Sequence, residues 1–265
     1  MDRMILTVYG TRGSVPVSGR EYREFGCATS CYLLEAGGST LVLDAGSGIR
    51  AIPPQTFGNE SVTVLLSHTH MDHVIGLPFF APLFEKGREI NVITASRGGL
   101  SAAGQIEKLF SPPLWPVGIY DYPASVKCTD ASFPVCVGPF RIDGIASPHP
   151  GGSTVFRIVC GEKKIVYATD FEHTEIGTRL LTEFAENADL LLYDGQYTEE
   201  EYEKKRGFGH STPREGMRVF ENSGSKRMLI IHHDPGNNDD TLKKAENGIK
   251  TKFVRFAREG DVIRL

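Results

Sequence analysis

The five cysteines of this sequence are an odd number, and no two of them sit at CxxC spacing. A disulfide framework or a four-thiolate zinc site needs regular pairs, so neither is expected. Cys27 and Cys31 read as buried thiols, and the whole set as the reduced cysteines of a cytoplasmic protein. No stretch approaches the eighteen or so apolar residues that span a bilayer. The segment Met4 to Tyr9 runs straight into Gly10, without the basic-then-apolar layout of a signal peptide. No membrane partner is therefore expected. Positive charge is also scarce: 29 Lys and Arg against 33 Asp and Glu leave a net charge of −4, which argues against long nucleic acid as a partner. There is no heptad array, internal repeat or low-complexity tail.

What the chain does have is 265 residues, 40% of them hydrophobic, enough to bury a proper core in a single domain over 1–265. Short apolar runs bounded by turn residues predict strands at 4–9, 30–34, 40–43, 62–66, 90–94, 140–146, 155–159, 164–168, 188–193 and 228–231. The pairs 30–34 with 40–43 and 155–159 with 164–168 read as hairpins around Gly37-Gly38 and Gly161. Helical spacing predicts helices over 100–110, 175–186, 198–205 and 240–250. Another helix opens at Thr212, with Pro213 at its first position and Glu215 at the box position. The segments 253–256 and 262–265 should be edge strands, and a short helical stretch should follow His73. The proline-stiffened loop carrying Trp115, Tyr120 and Tyr122 reads either as a satellite core or as a wall of a cleft.

Chemistry concentrates at strand ends. Ser67-His68-Thr69-His70-Met71-Asp72-His73 brings three imidazoles and a carboxylate into six positions directly after a buried strand, in a chain with only eight histidines. Alternate spacing off a strand aims His68 and His70 the same way, and imidazole with carboxylate is a donor set for divalent metals. Asp44, His149, Asp170 and His232 also fall at or just beyond strand ends. An open zinc site needs three protein ligands, so seven candidate donors (His68, His70, Asp72, His73, His149, Asp170 and His232) suit two metals rather than one. Gly10-Thr11-Arg12-Gly13-Ser14 is a glycine-rich turn that could hold an anion with Arg12, or be an ordinary turn with a solvated cation. His210 precedes a helix start, where free N–H groups favour anions.

In their order these segments resemble the metallo-β-lactamase fold superfamily over nearly the whole chain, and within it the RNase Z-like, phosphodiesterase-like branch. The HxHxDH element matches His68, His70, Asp72 and His73. The segments at 10–14, 29–31 and 209–212 are similar to that branch. The resemblance implies an α/β fold, an αββα sandwich of two mixed sheets with helices on both outer faces. It implies two divalent ions, zinc in the first place with manganese or iron as alternatives. His68, His70 and His149 would bind one ion, Asp72, His73 and His232 the other, and Asp170 would bridge them. Asp44 and His233 would support the ligands from behind. Asp72 and His210 would be catalytic, with Arg12, Ser30 and His210 on the substrate.

The reaction implied is hydrolysis of a small or cyclic phosphodiester by a metal-bridging hydroxide, with an acid for the departing alkoxide. A lactone, thioester or lactam hydrolase and an RNA 3′-end nuclease are the alternatives. The sequence has no extended basic arm for gripping RNA, and Ala28 stands where relatives often carry Asn. A small-molecule phosphodiester is thus the expected partner, with a homodimer left open as the assembly.

Overall fold

Side chains alternate between the two faces of a strand, so a strand that is apolar at every position must be covered on both faces. The eleventh strand, Leu190–Asp194, shows the consequence: Leu190 and Leu192 enter one core, Leu191 and Tyr193 another. The structure, a computed structural model, describes residues 4–58 and 61–265. Among them fourteen strands form two seven-stranded sheets packed face to face.

In chain order the strands are β1 Ile5–Gly10, β2 Cys31–Ala36, β3 Ser39–Leu43, β4 Val62–Leu65, β5 Glu89–Thr94, β6 Ser125–Asp130, β7 Val135–Val137, β8 Phe140–Ser147, β9 Ser153–Cys160, β10 Lys163–Ala168, β11 Leu190–Asp194, β12 Met228–Ile231, β13 Val254–Phe256 and β14 Val262–Arg264. The first sheet runs β14-β1-β2-β3-β4-β5-β6 and the second β13-β12-β11-β10-β9-β8-β7. Each sheet is mixed, antiparallel through its hairpins and parallel beyond them, as β3–β4–β5–β6 and β10–β11–β12–β13.

The α-helices are α1 Met71–Val74, α2 Ala102–Leu109, α3 Glu175–Phe184, α4 Glu199–Lys205, α5 Pro213–Ser223 and α6 Asp239–Asn247. The central core lies between the sheets, around Leu6, Tyr32, Leu34, Leu43, Phe156, Tyr167 and Leu192. A second core covers the outer face of the first sheet, where Ile106 of α2 meets Leu33, Val42 and Val64. A third covers the second sheet, where Leu181, Val219 and Leu242 from α3, α5 and α6 meet Val166, Leu191 and Tyr193. The expected αββα sandwich is the observed one. Among the described residues no helix is long and apolar enough to cross a membrane.

Most of the expected elements stand within two residues of their reading. Thr212 caps α5, its hydroxyl accepting from the Glu215 N–H. Helix α1 begins at Met71, so Asp72 and His73 ride on a helical turn rather than following a loop. Strands β6 and β7 fall where no strand is expected. Both are sheet edges with only half-buried apolar residues, so their pattern is weak. Trp115 belongs to the satellite core: its indole donates to the Tyr122 hydroxyl (3.2 Å) and packs edge-on against Phe79 and Phe110.

Burial sets the cost of core changes. Phe156→Ala, between the sheets, should cost about 3–5 kcal/mol. Ile176→Ala, on the exposed face of α3, should stay within about 0.5 kcal/mol. Denaturant midpoints at constant slope measure both.

Candidate metal centre

The strands that carry the site all deliver their side chains where they end. Asp44 follows β3, His68 and His70 follow β4, His149 follows β8, Asp170 follows β10, Asp194 closes β11 and His232 follows β12. This is the edge of the sandwich at which the two sheets present adjacent strand ends. Turning sharply there strains the backbone. Asp44 (φ 57°), Asp170 (50°), His232 (63°) and Ser14 (63°) are all left-handed, and among the described non-glycine residues only Asn187 joins them. Each costs about 1–2 kcal/mol for an L-residue. That four of them meet at one site marks it as the place where geometry outranks stability.

Two donor sets result. His68, His70 and His149 form one, with His70 exposed and His149 half-buried, so this set opens to solvent. Asp72, His73, Asp170 and His232 form the other, and all four are buried. Asp170 lies between them. Its Oδ1 is 3.6 Å from both His68 Nε2 and His149 Nε2, while its Oδ2 is 3.0 Å from His73 Nε2 and 3.3 Å from His232 Nε2. Asp72 Oδ2 is 3.3 Å from His73 Nε2 and 3.2 Å from His232 Nε2, and it accepts the Ser14 N–H at 2.7 Å.

Behind the donors, hydrogen bonds fix which ring nitrogen faces inward. His73 Nδ1 donates to Asp44 Oδ2 at 2.7 Å. Asp44 also accepts from the Ser67 amide (2.7 Å), the Ser67 hydroxyl (2.8 Å) and the Tyr167 hydroxyl (2.6 Å). Burial and the Asp44 carboxylate raise the Tyr167 pKa well above its ordinary value, so the phenol stays a donor. Because the Ser67 proton goes to Asp44, Ser67 Oγ accepts from His68 Nδ1 at 3.1 Å. His149 Nδ1 donates to the Gly209 carbonyl (3.0 Å) and His232 Nδ1 to Gln196 Oε1 (2.9 Å). A side chain at Gly209 would meet His149 Nδ1 at 2.1 Å, so only glycine lets that carbonyl approach.

When these rings are neutral, the inward nitrogens of His68, His73, His149 and His232 carry lone pairs, and they crowd. His73 Nε2 and His232 Nε2 stand 3.3 Å apart, His70 Nδ1 and His149 Nε2 3.1 Å apart, and buried His68 Nε2 has no hydrogen-bond partner. Lone pairs facing lone pairs around buried carboxylates call for cations among them. The residues present fit divalent metal ions.

Protonation shows the same demand. Burial alone would lower the His73 pKa, but Asp170, Asp72 and Asp44 raise it well above the ordinary imidazole value. Burial likewise opposes His232, which Asp170 and Asp72 push up to about 9. Asp72 and Asp170 resist burial because the surrounding imidazoles hold them well below the usual carboxylate range. In the open set burial prevails, and His68, His70 and His149 are all lowered.

Three expected residues fall elsewhere. Arg12 is fully buried, its guanidinium donating to the carbonyls of Gly26 (2.7 Å), Asn237 (2.7 Å) and Asp234 (3.3 Å), so it knits the loops together instead of meeting a substrate. Ser30 is buried just before β2, where its carbonyl accepts the Gly46 N–H. His233 points away from the centre and into the core, the backbone turning between the two side chains at the left-handed His232. Its Nε2 donates to the Ala257 carbonyl at 2.9 Å, its ring stacks on Phe256, and burial lowers its pKa to about 3. It is a neutral core histidine, not a support for the ligands.

His210 does reach the site. Its ring stacks on His232 with centroids 4.9 Å apart and lies 5.2 Å from that of His149. Sequence reasoning missed its partner, Asp194, which accepts from His210 Nδ1 at 2.8 Å and from the backbone N–H groups of Phe171 and Gln196. It also missed Gln196 and Ser14, which are joined by a hydrogen bond of 3.1 Å. A lone acid at a strand end carries no motif, and only the strand-end rule pointed there.

The fold and this cluster define a class, and comparison with known proteins gives the family. Residues 39–233 match the beta-lactamase superfamily domain, and the chain belongs to that family of metal-dependent hydrolases. It is similar to the probable metallo-hydrolase YhfI of Bacillus subtilis, at 24% identity over 98% of this chain and 99% of that one. The crystal structure of YhfI, a metallo-beta-lactamase fold protein, superimposes with a TM-score of 0.77 at 23% identity, covering 100% of both chains. Ribonuclease Z of Haloarcula marismortui is 24% identical over 86% of each chain. A diphosphatase of the PhnP family superimposes with a TM-score of 0.71 at 15% identity, covering 100% of this chain and 98% of that one.

The pKa directions give the metal-free chain a signature. Above pH 6.5 the folded chain keeps protons on His73 and His232 that the unfolded chain has released, so stability should fall from about pH 6.5 to about 9. Below 6.5 the unfolded chain takes up protons that His68, His70, His149 and His233 refuse when folded, so stability should fall there too. Unfolding midpoints of the chelator-treated chain should peak near pH 6.5. A midpoint that rises steadily to pH 9 would contradict the protonated pair.

Proposed function

We propose that the chain is a dinuclear metal-dependent phosphodiesterase acting on a small or cyclic phosphodiester. In this reading His68, His70 and His149 would hold one ion and Asp72, His73 and His232 the other, with Asp170 shared between them. The observation that carries it is the Asp170 carboxylate, whose two oxygens face different donor sets. Imidazole-rich donors suit zinc, while the carboxylates also accommodate manganese or iron. When bound, such a pair supplies Lewis acidity at the phosphoryl oxygens and an acidified water as nucleophile.

The chain's own groups do the rest. Asp72, with Oδ2 held by the Ser14 N–H, orients the attacking water. His210 protonates the leaving oxygen: its Nδ1 is tied to Asp194, which leaves Nε2 as the proton-carrying atom toward the substrate. As the water oxygen bonds to phosphorus and gives up a proton to solvent, the P–O ester bond breaks, the bonding pair leaves with the alkoxide and the His210 proton neutralises it. A phosphomonoester and an alcohol result. The names of two relatives, a ribonuclease and a diphosphatase, support chemistry at phosphorus.

Cleavage of RNA is the second reading, favoured by likeness to Ribonuclease Z over 86% of the chain. A net charge of −4 supports the smaller substrate over a polyanion.

Leaving-group dependence tests the assignment of His210. His210→Ala should keep its metal and lose roughly 10²–10⁴-fold in turnover on an alkyl diester. On a p-nitrophenyl diester, whose leaving group departs without a proton, the loss should be small. Equal losses on both would remove His210 from the acid role, and lactone hydrolysis without diester hydrolysis would overturn the reading.

A further inference from the structure

The open donor set has a neighbour that the mechanism above does not use. Beyond His68 and His70 lies a cleft of about 230 Å³, walled by Thr69, Gln105, Lys108, Gly152 and Arg97. It lies on the solvent side of the centre, since the set His68, His70 and His149 is the exposed one and the other is buried.

The cleft carries two cations and no carboxylate. Arg97 opens a tight turn closed by mutual backbone hydrogen bonds with Leu100 (3.0 and 2.9 Å), its tip being Gly98 and Gly99 at φ 58° and 76°. Its guanidinium is partly buried, yet every partner is neutral: the Thr94 hydroxyl at 3.2 Å, the Ala95 carbonyl at 3.3 Å and the Thr154 hydroxyl. Asp44 acts on it only from beyond hydrogen-bond reach, so the partly buried fork has no directly bonded anion and favours one that arrives. Lys108 stands exposed on α2 and, among the described residues, takes part in no ion pair.

The cleft is also fixed to the metal ligands. Thr69, between His68 and His70, donates to Gln105 Oε1 at 3.0 Å, and Gln105 Nε2 donates to the Ala95 carbonyl at 2.9 Å. One helix therefore holds both the histidine loop and the Arg97 turn. Across the floor run Gly151 and Gly152, at φ 78° and 83°. A side chain at the first would come within 3.4 Å of His70 Nε2, and at the second within 3.4 Å of Arg97 Nε. Those are ordinary contact distances, so it is the positive φ of the pair that favours glycine, and the pair lies between the ligand histidine and the cation.

We infer that this cleft is an anion subsite for the non-leaving arm of the substrate, and that the preferred diester carries a second phosphate, a phosphomonoester, at the end of that arm. The inference rests on the phosphodiesterase reading for the word diester and on the cleft alone for the second anion. At about 230 Å³ the cleft is smaller than the roughly 300–1,000 Å³ of drug-sized sites, which suits a short phosphorylated arm.

Two substrates with the same leaving group separate the ideas: p-nitrophenyl ethyl phosphate, and p-nitrophenyl 2-phosphoethyl phosphate. The metal-loaded wild type should prefer the second by tenfold or more in kcat/KM, chiefly through KM. Lys108→Ala should cut that ratio several-fold and Lys108→Glu should abolish it. Arg97→Lys, which keeps charge but not the planar fork, should also lower it. Binding of ethylene glycol bisphosphate against ethyl phosphate, by calorimetry on the metal-loaded chain, gives the same ratio without turnover. If neither diester is hydrolysed but the binding ratio is high and falls in Lys108→Glu, the phosphodiesterase reading fails and the subsite stands. If both ratios stay near one, or are untouched by Lys108→Glu, the subsite is overturned.

Discussion

The carboxylate of Asp170 is the point on which the structure turns. It is almost wholly buried, at the end of β10, in a left-handed conformation, with imidazole nitrogens facing both of its oxygens. A buried charge of this kind is tolerable only when it is fully paired, and here the pairing comes from both sheets. His68 and His73 reach it from beyond the strand ends of the first sheet, His149 and His232 from those of the second. The sandwich brings the two sets of strand ends together, and the donors give the sandwich a reason to carry strain at that edge.

Support then spreads outward from the donors. Asp44 accepts four hydrogen bonds, among them the Tyr167 hydroxyl from the opposite sheet, so a single carboxylate sets the His73 tautomer and ties the layers together. Gln196 does for His232 what Gly209 does for His149, and Asp194 does the same for His210. Each inward nitrogen is specified by a partner one step further from the centre. The buried donor set draws protons in the absence of metal because Asp170 and Asp72 outweigh burial there, while in the open set burial prevails.

The sandwich and its ligand-bearing strand ends were legible because hydrophobic runs and turn residues are local signals. The histidine motif stood out because its residues sit within six positions. What escaped depends on contacts between distant parts of the chain. Asp194 becomes meaningful only when His210 folds back onto it, and the polar alternation of β6 makes sense only once β5 is there to pair with it. The misplaced residues have one cause: a side chain's direction is not written in its identity. Arg12 sits in a loop whose composition suits an anion, yet three carbonyls claim it. His232 and His233 are adjacent, yet one reaches the centre and the other enters the core, across a left-handed turn at His232 that the residue type does not announce.

The central claim is that one carboxylate joins two metal ions, and the most direct measurement is magnetic. The wild-type chain, loaded with manganese and freed of excess, should contain two ions per chain by elemental analysis, and its electron paramagnetic resonance spectrum should be that of a spin-coupled pair. Asp170→Asn should lose the coupling. One ion per chain, or two that are magnetically isolated in the wild type, would contradict the account.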